Sequence, residues 1–76
     1  MSGGDLDYSY FRVDESARVI REKYLDRFDE DRKIKILAFC DHLEMVAKAL
    51  HDVEWVLGGD YGPDGADKAI DAVLGR

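Results

Sequence analysis

The chain has a single cysteine, Cys40. No internal disulfide can form, so a secreted disulfide scaffold is excluded. Basic residues are in deficit, with 11 Lys and Arg against 17 Asp and Glu and a formal charge of −6. A general duplex nucleic-acid binder needs a basic face to displace counterions from phosphates, so that partner is not expected. No apolar run approaches the roughly 20 residues of a membrane span. The opening Met1-Ser2-Gly3-Gly4-Asp5 lacks the basic and apolar regions of a signal peptide. The expectation is a cytoplasmic protein with no membrane partner.

What is present is a short, charged chain with enough apolar residues for a core. It has 76 residues, of which 46% are apolar and 37% charged, and that length suits one domain. A domain below about 80 residues seldom gains more than a few kcal/mol from its own core. Without disulfides or a strong metal motif, self-association is the expected remedy, giving a homodimer or higher oligomer.

Hydrophobic spacing predicts an all-α helical hairpin in a single domain over residues 1–76, with one long central helix flanked by two shorter ones. Residues 1–12 read as an N-terminal arm. Leu6, Tyr8 and Tyr10 alternate with polar residues there, which suits a short extended segment. Residues 13–28 read as the first helix, with Val13, Ala17, Ile20, Tyr24 and Phe28 on one stripe and Asp14 at its start. The acidic break Asp29-Glu30-Asp31 suits a helix N-terminus, where the dipole favours negative charge. The central helix then runs over 31–57, roughly 40 Å long. Ile36, Phe39, Leu43, Val46, Leu50, Val53 and Leu57 alternate three and four apart along it. This heptad seam is the strongest pattern in the chain, and it is longer than the first helix can cover. Residues 58–65 form a loop with four glycines. Ala66, Ala69, Ile70, Val73 and Leu74 mark a short third helix over 65–74, with Asp64 as its cap and Gly75 as its stop.

Several spacings bear on chemistry. Asp41 and Glu44 stand three apart, as do Asp64 and Asp67. Facing carboxylate pairs of this kind hold Mg²⁺ in all-α nucleotide pyrophosphohydrolases, which this spacing faintly resembles. In a chain with 17 acids such spacings also arise by chance, and no metal site is assigned. His51-Asp52 is similar to the dyad of HD-type phosphohydrolases, but His42 lies on the opposite side of the helix axis from His51. Cys40 lacks a His partner for thiolate activation and reads as a core residue. The glycine-rich loop lacks the Lys-Ser/Thr ending of a phosphate loop, yet it follows Trp55 and contains Asp60 and Tyr61. Aromatic faces stack on bases, carboxylates accept from ribose hydroxyls, and glycines admit close backbone approach. The arm residues Gly3, Gly4, Tyr8, Tyr10 and Arg12 admit the same reading. In both places the alternative is simple packing.

The start Met1-Ser2-Gly3-Gly4 with Tyr8 and Tyr10, the run Ala49-Leu50-His51-Asp52-Val53-Glu54-Trp55, and Gly59-Asp60-Tyr61-Gly62 together resemble a group of small phage and prophage proteins. Asp5 and the step Leu57-Gly58 depart from that group's pattern. In size and expected oligomerisation the group is similar to phage proteins that sequester nucleotide immune signals, such as the Sequestin and Lockin anti-Thoeris groups. The resemblance implies no enzyme activity and no cofactor. It implies a small nucleotide ligand of the ADP-ribose type, held without cleavage in a pocket shared between copies in the host bacterial cytoplasm. Tyr8, Tyr10, Trp55 and Tyr61 would then be base platforms. The Gly3 and Gly4 amides with Arg12 and Arg18 would serve phosphates, and Glu54 and Asp60 the ribose. Two competing readings follow from the acidity. One is an inhibitor that presents Asp41, Glu44, Asp52, Glu54 and the third helix to a basic host protein. The other is the Mg²⁺-dependent hydrolase.

Overall fold

The computed structural model describes residues 6–76. Within them the chain forms three α-helices and no strand: α1 (Ser9–Val19), α2 (Glu30–Leu57) and α3 (Asp67–Leu74). A π turn over Ile20–Tyr24 and a 3-10 turn over Leu25–Arg27 prolong α1. The architecture is the predicted one, a long uninterrupted central helix with a shorter helix on either side in sequence. No helix among the described residues is long and apolar enough to cross a membrane.

The first helix starts earlier than its apolar stripe suggests. It begins at Ser9 rather than at residue 13, so Tyr10 and Arg12 are helical and no extended arm precedes Val13 within the described part. Asp7 and Tyr8 form the turn before it, with φ of 50° and 54°. Left-handed backbone costs a non-glycine residue roughly 1–3 kcal/mol. Contacts from the far end of α2 offset this. The Tyr8 N–H donates to Glu54 Oε1 at 3.1 Å, and the Tyr8 ring packs edge-on to Tyr10 and Trp55. Tertiary anchoring therefore overrides the period-two pattern. Asp14 is not a cap; it sits inside α1 and accepts from Arg18 Nη2 at 2.8 Å.

Asp29 caps α2, its carboxylate accepting from the Arg32 N–H at 2.9 Å. At the other end Gly59 takes φ 87°, which a side chain would resist. The third helix starts at Asp67, later than predicted. Asp64 supplies its backbone carbonyl to the Asp67 N–H at 3.1 Å and makes no side-chain cap. Gly75 stops the helix with φ 76°.

All substantial helix packing runs through α2, and α1 and α3 are laid along different sides of it. The result is a flattened body of 44 × 27 × 13 Å. At 3.6 residues per turn, α2 divides into three arcs. Cys40, Ala47 and Glu54 are buried on the arc beside α1. Ala49 and Asp52 are buried on the arc toward α3. The heptad seam is the third arc, and neither neighbour sits squarely on it. Its Phe39 and Leu57 are 53% and 49% exposed, and Ile36, Leu43, Val46, Leu50 and Val53 are half-buried. Among the described residues, the buried apolar ones are Ala17, Cys40, Ala47, Ala49 and Ala66. Small side chains let helix axes approach closely, and the flanking helices take the alanine arcs rather than the leucine arc.

Replacing Asp29 with Ala is expected to lower the unfolding free energy by about 1 kcal/mol, seen as a lower urea midpoint at unchanged slope. Asp64→Ala removes no side-chain cap, so its midpoint should stay within about 0.5 kcal/mol of the parent.

Candidate functional site

Beside the alanine arcs, α2 carries a polar stripe. Asp41, Glu44, Lys48 and Asp52 step by three, four and four, so they line one side of the rod. On α3 and the turn before it, Gly65, Lys68, Ala69 and Ala72 share a matching spacing. The two rows face each other across a groove of about 670 Å³ whose apolar floor includes Met45, Ala69 and Ala72. A second concavity of about 460 Å³ opens toward α1, lined by Tyr10, Phe11, Asp14 and His51. Glu44 and Lys48 line both, so the two hollows adjoin across α2. Volumes of this order suit small-molecule sites, which are mostly apolar with a few polar anchors.

Arg21 closes one end. It lies in the π turn and reaches from there to α2. Its Nη1 donates to Glu44 Oε2 and its Nη2 to Asp41 Oδ1, each at 2.7 Å. The Glu44 hydrogen bond holds the Arg21 guanidinium above its ordinary value, opposed by burial and reinforced by the Glu44 and Asp41 charges. The carboxylate pair suggested for Mg²⁺ is thus bridged by a cation. Among the described residues no group of three or more metal-ligating side chains assembles.

Asp52 ends the polar stripe on α2. It is 6% exposed and has two partners: Lys48 Nζ at 3.1 Å and His51 Nδ1 at 2.9 Å. A carboxylate can only accept, so Nδ1 carries the proton. Burial pushes the Asp52 carboxyl up, but the His51 and Lys48 hydrogen bonds and charges outweigh it, and the net position is below the ordinary range. His51 in turn stacks on Trp55 with ring centroids 4.2 Å apart, and Tyr10 meets both rings edge-on.

The sequence-predicted site residues divide three ways. Tyr8, Tyr10, Glu54 and Trp55 do come together, in one aromatic cluster at the junction of α1 and α2. Of these, Tyr10 lines a concavity. Glu54 is 3% exposed and holds the Tyr8 N–H, so it faces backbone rather than a ligand's ribose. Arg12, Arg18, Asp60 and Tyr61 do not join the groove walls. Arg12 is exposed and 4.0 Å from Asp7. Arg18 is engaged by Asp14. Asp60 and Tyr61 lie in the loop after α2, their N–H groups donating to the Trp55 carbonyl. Tyr61 packs on Gly65, where an added Cβ would come within 2.6 Å of the tyrosine Cβ. Gly3 and Gly4 lie outside the described residues. Of the residues expected on an acidic contact surface, Asp52 and Glu54 are buried, while Asp41 and Glu44 share Arg21 as their cation.

No family model, curated protein or solved structure matches the chain. The site is therefore read from its own geometry. Sequence reasoning missed Lys48, Lys68, Phe11 and His51 as groove residues. The signal for Lys48 was its place in the polar stripe, at helical spacing from Glu44 and Asp52.

The depressed Asp52 carboxyl gives a pH prediction. A group held below its unfolded value of about 3.9 stabilises the fold above that pH and loses the contribution as pH falls through the lower folded value. Asp52→Asn should therefore destabilise the protein near neutral pH. In urea unfolding followed across pH, the gap between parent and variant should narrow below about pH 4.

Proposed function

We propose that the chain is a phage-type counter-defence protein that binds and sequesters a nucleotide signal of the ADP-ribose type, acting as a self-associated, non-enzymatic sink. The observation that carries this reading is the pair of adjoining hollows, in which aromatic, apolar and cationic surfaces meet at Lys48. A base fits against Tyr10 and Phe11, where rings offer stacking or edge contacts. Phosphates fit between Lys48 and Lys68, whose ammonium groups act as mobile point charges. Ribose hydroxyls can donate to Asp41, Glu44 or Asp14.

This placement moves the ligand away from the loop after α2 and onto the polar stripe. Net charge opposes an anionic ligand, and Asp41, Glu44 and Asp52 line the same groove, but each is paired with Arg21 or Lys48, which leaves the exposed Lys68 ammonium facing the ligand. Sequestration asks for burial and complementarity rather than for a nucleophile or base aligned on a scissile bond. The residues here fit that demand. Cys40, the one thiol, is fully buried, and His51 points its Nδ1 proton into Asp52.

A thermal-shift series with ADP-ribose, cyclic ADP-ribose and related conjugates tests the proposal. At least one member should raise the melting temperature in a concentration-dependent way. Lys68→Ala, at an exposed position, should weaken binding about tenfold or more, on the scale of a lost charge-assisted contact. Ligand released by denaturation should be recovered intact. Absence of any shift across the series, or recovery of a cleaved product, would overturn the reading.

A further inference from the structure

We propose that the heptad face of α2 is the homodimer interface, two copies of the chain closing face to face over Leu43, Val46, Leu50 and Val53. This extends the self-association part of the functional reading and does not depend on which ligand the groove takes.

The first ground is what the single chain leaves uncovered. Among the described residues the buried apolar ones are four alanines and one cysteine, and the largest fully buried side chain is that of Cys40. Among the described residues no Leu, Ile, Val, Phe or Trp is buried. Domains gain stability by pressing the apolar stripe of one layer onto a second layer. Here α1 and α3 flank α2 within one flattened body, so the described residues supply no second layer over the seam.

The second ground is the character of the face. From Ile36 to Leu57 the seam positions contain no charged residue, and the positions beside them are Cys40, Ala47, His42, Ala49 and Val56, with only the buried Glu54 carrying charge. Ile20 of the π turn and Ile70 of α3 are half-buried, while Leu74 at the end of α3 is 57% exposed. On a chain of charge −6, an uncharged face lets two copies meet without bringing like charges together. The same charge disfavours an anionic membrane surface, which recruits basic residues. A duplex nucleic acid is disfavoured for the same reason.

The third ground is size. A standard stable interface covers about 800 Å² on each partner, and the broad face of a 44 × 27 Å body is larger than that. A foreign partner would have to be present whenever the chain folds. A second copy always is. The groove with Lys48 and Lys68 lies on a different arc of α2, so closing the heptad face leaves it open.

Sedimentation equilibrium of the purified full chain, from about 1 to 100 μM, reads the assembly directly. The expected mass is twice 8.6 kDa, and the melting temperature should rise with protein concentration, as it does when folding and association are linked. Phe39→Glu and Leu57→Glu change side chains already about half exposed, so the helices need not unfold for the effect to be seen. Each should weaken the dimer at least ~10-fold, while Lys68→Ala on the groove side leaves the mass unchanged. A variant that unfolds outright leaves the parent's concentration dependence as the deciding measurement. A parent that remains monomeric with a concentration-independent melting temperature would overturn the proposal, as would Phe39→Glu and Leu57→Glu proteins as fully dimeric as the parent. Either result leaves the nucleotide thermal-shift series standing on its own.

Discussion

The rest of the structure depends on one constraint: a rod of 28 residues must serve three sets of neighbours at once. A helix of this length presents far more surface than two short helices can cover. The chain resolves this by arc. Alanine and cysteine take the flanks where α1 and α3 approach closely. Leucine, valine and isoleucine are left on the third arc. Charged residues fill the stripe between the flanks. Burying a Leu or Val side chain stabilises by roughly 1.5–3 kcal/mol, whereas an alanine offers much less, so the residues best able to hold the protein together are those that its own fold leaves half covered.

Electrostatics supply what apolar burial does not. Arg21 ties the end of the first helical segment to Asp41 and Glu44, and Glu54 ties the Tyr8 turn to the other end of α2. These two contacts fix α1 at both ends along the rod. The planar Arg21 guanidinium, donating to two carboxylates at once, makes the first directional as well as attractive. Because Glu54 is buried with a backbone N–H as its partner, its loss would leave that donor unpaired in a poorly hydrated place. The cluster of Tyr8, Tyr10, His51 and Trp55 packs around this second tie. Residues that look like ligand platforms from their type alone thus have packing partners of their own.

Much of the fold was legible because periodicity is a backbone property. The uninterrupted α2, its acidic start, the glycine stops and the burial of Cys40 follow from spacing and local chemistry. The start of α1 was not legible, since the turn at Asp7 and Tyr8 depends on Glu54, far away in sequence. The candidate site was legible only in part. Aromatic residues advertise themselves, so Tyr10 was found. Lys48 and Lys68 are ordinary surface lysines until α2 and α3 are placed side by side, and no pattern within either segment reveals that pairing. Asp41 and Glu44 looked like a metal pair because carboxylate spacing alone cannot show that a guanidinium lies between them.

The arrangement also explains how a chain this acidic can present lysines in a groove whose own charges balance, with Asp41, Glu44 and Asp52 set against Arg21, Lys48 and Lys68. Along the polar stripe the carboxylates are already committed: Asp41 and Glu44 to Arg21, and Asp52 to Lys48 and His51. Paired charges project little field into the hollow they border, whereas Lys68 on the opposite wall is exposed. Lys48 is 70% exposed at its side chain and holds Asp52 through one contact, so its ammonium keeps donors free for a second acceptor. The field that a ligand meets is therefore set by which charges are compensated locally. The formal total of −6 governs the outer surface. Residue spacing along α2 sets the uncharged heptad arc and the lysine-bearing groove on different sides of the same helix.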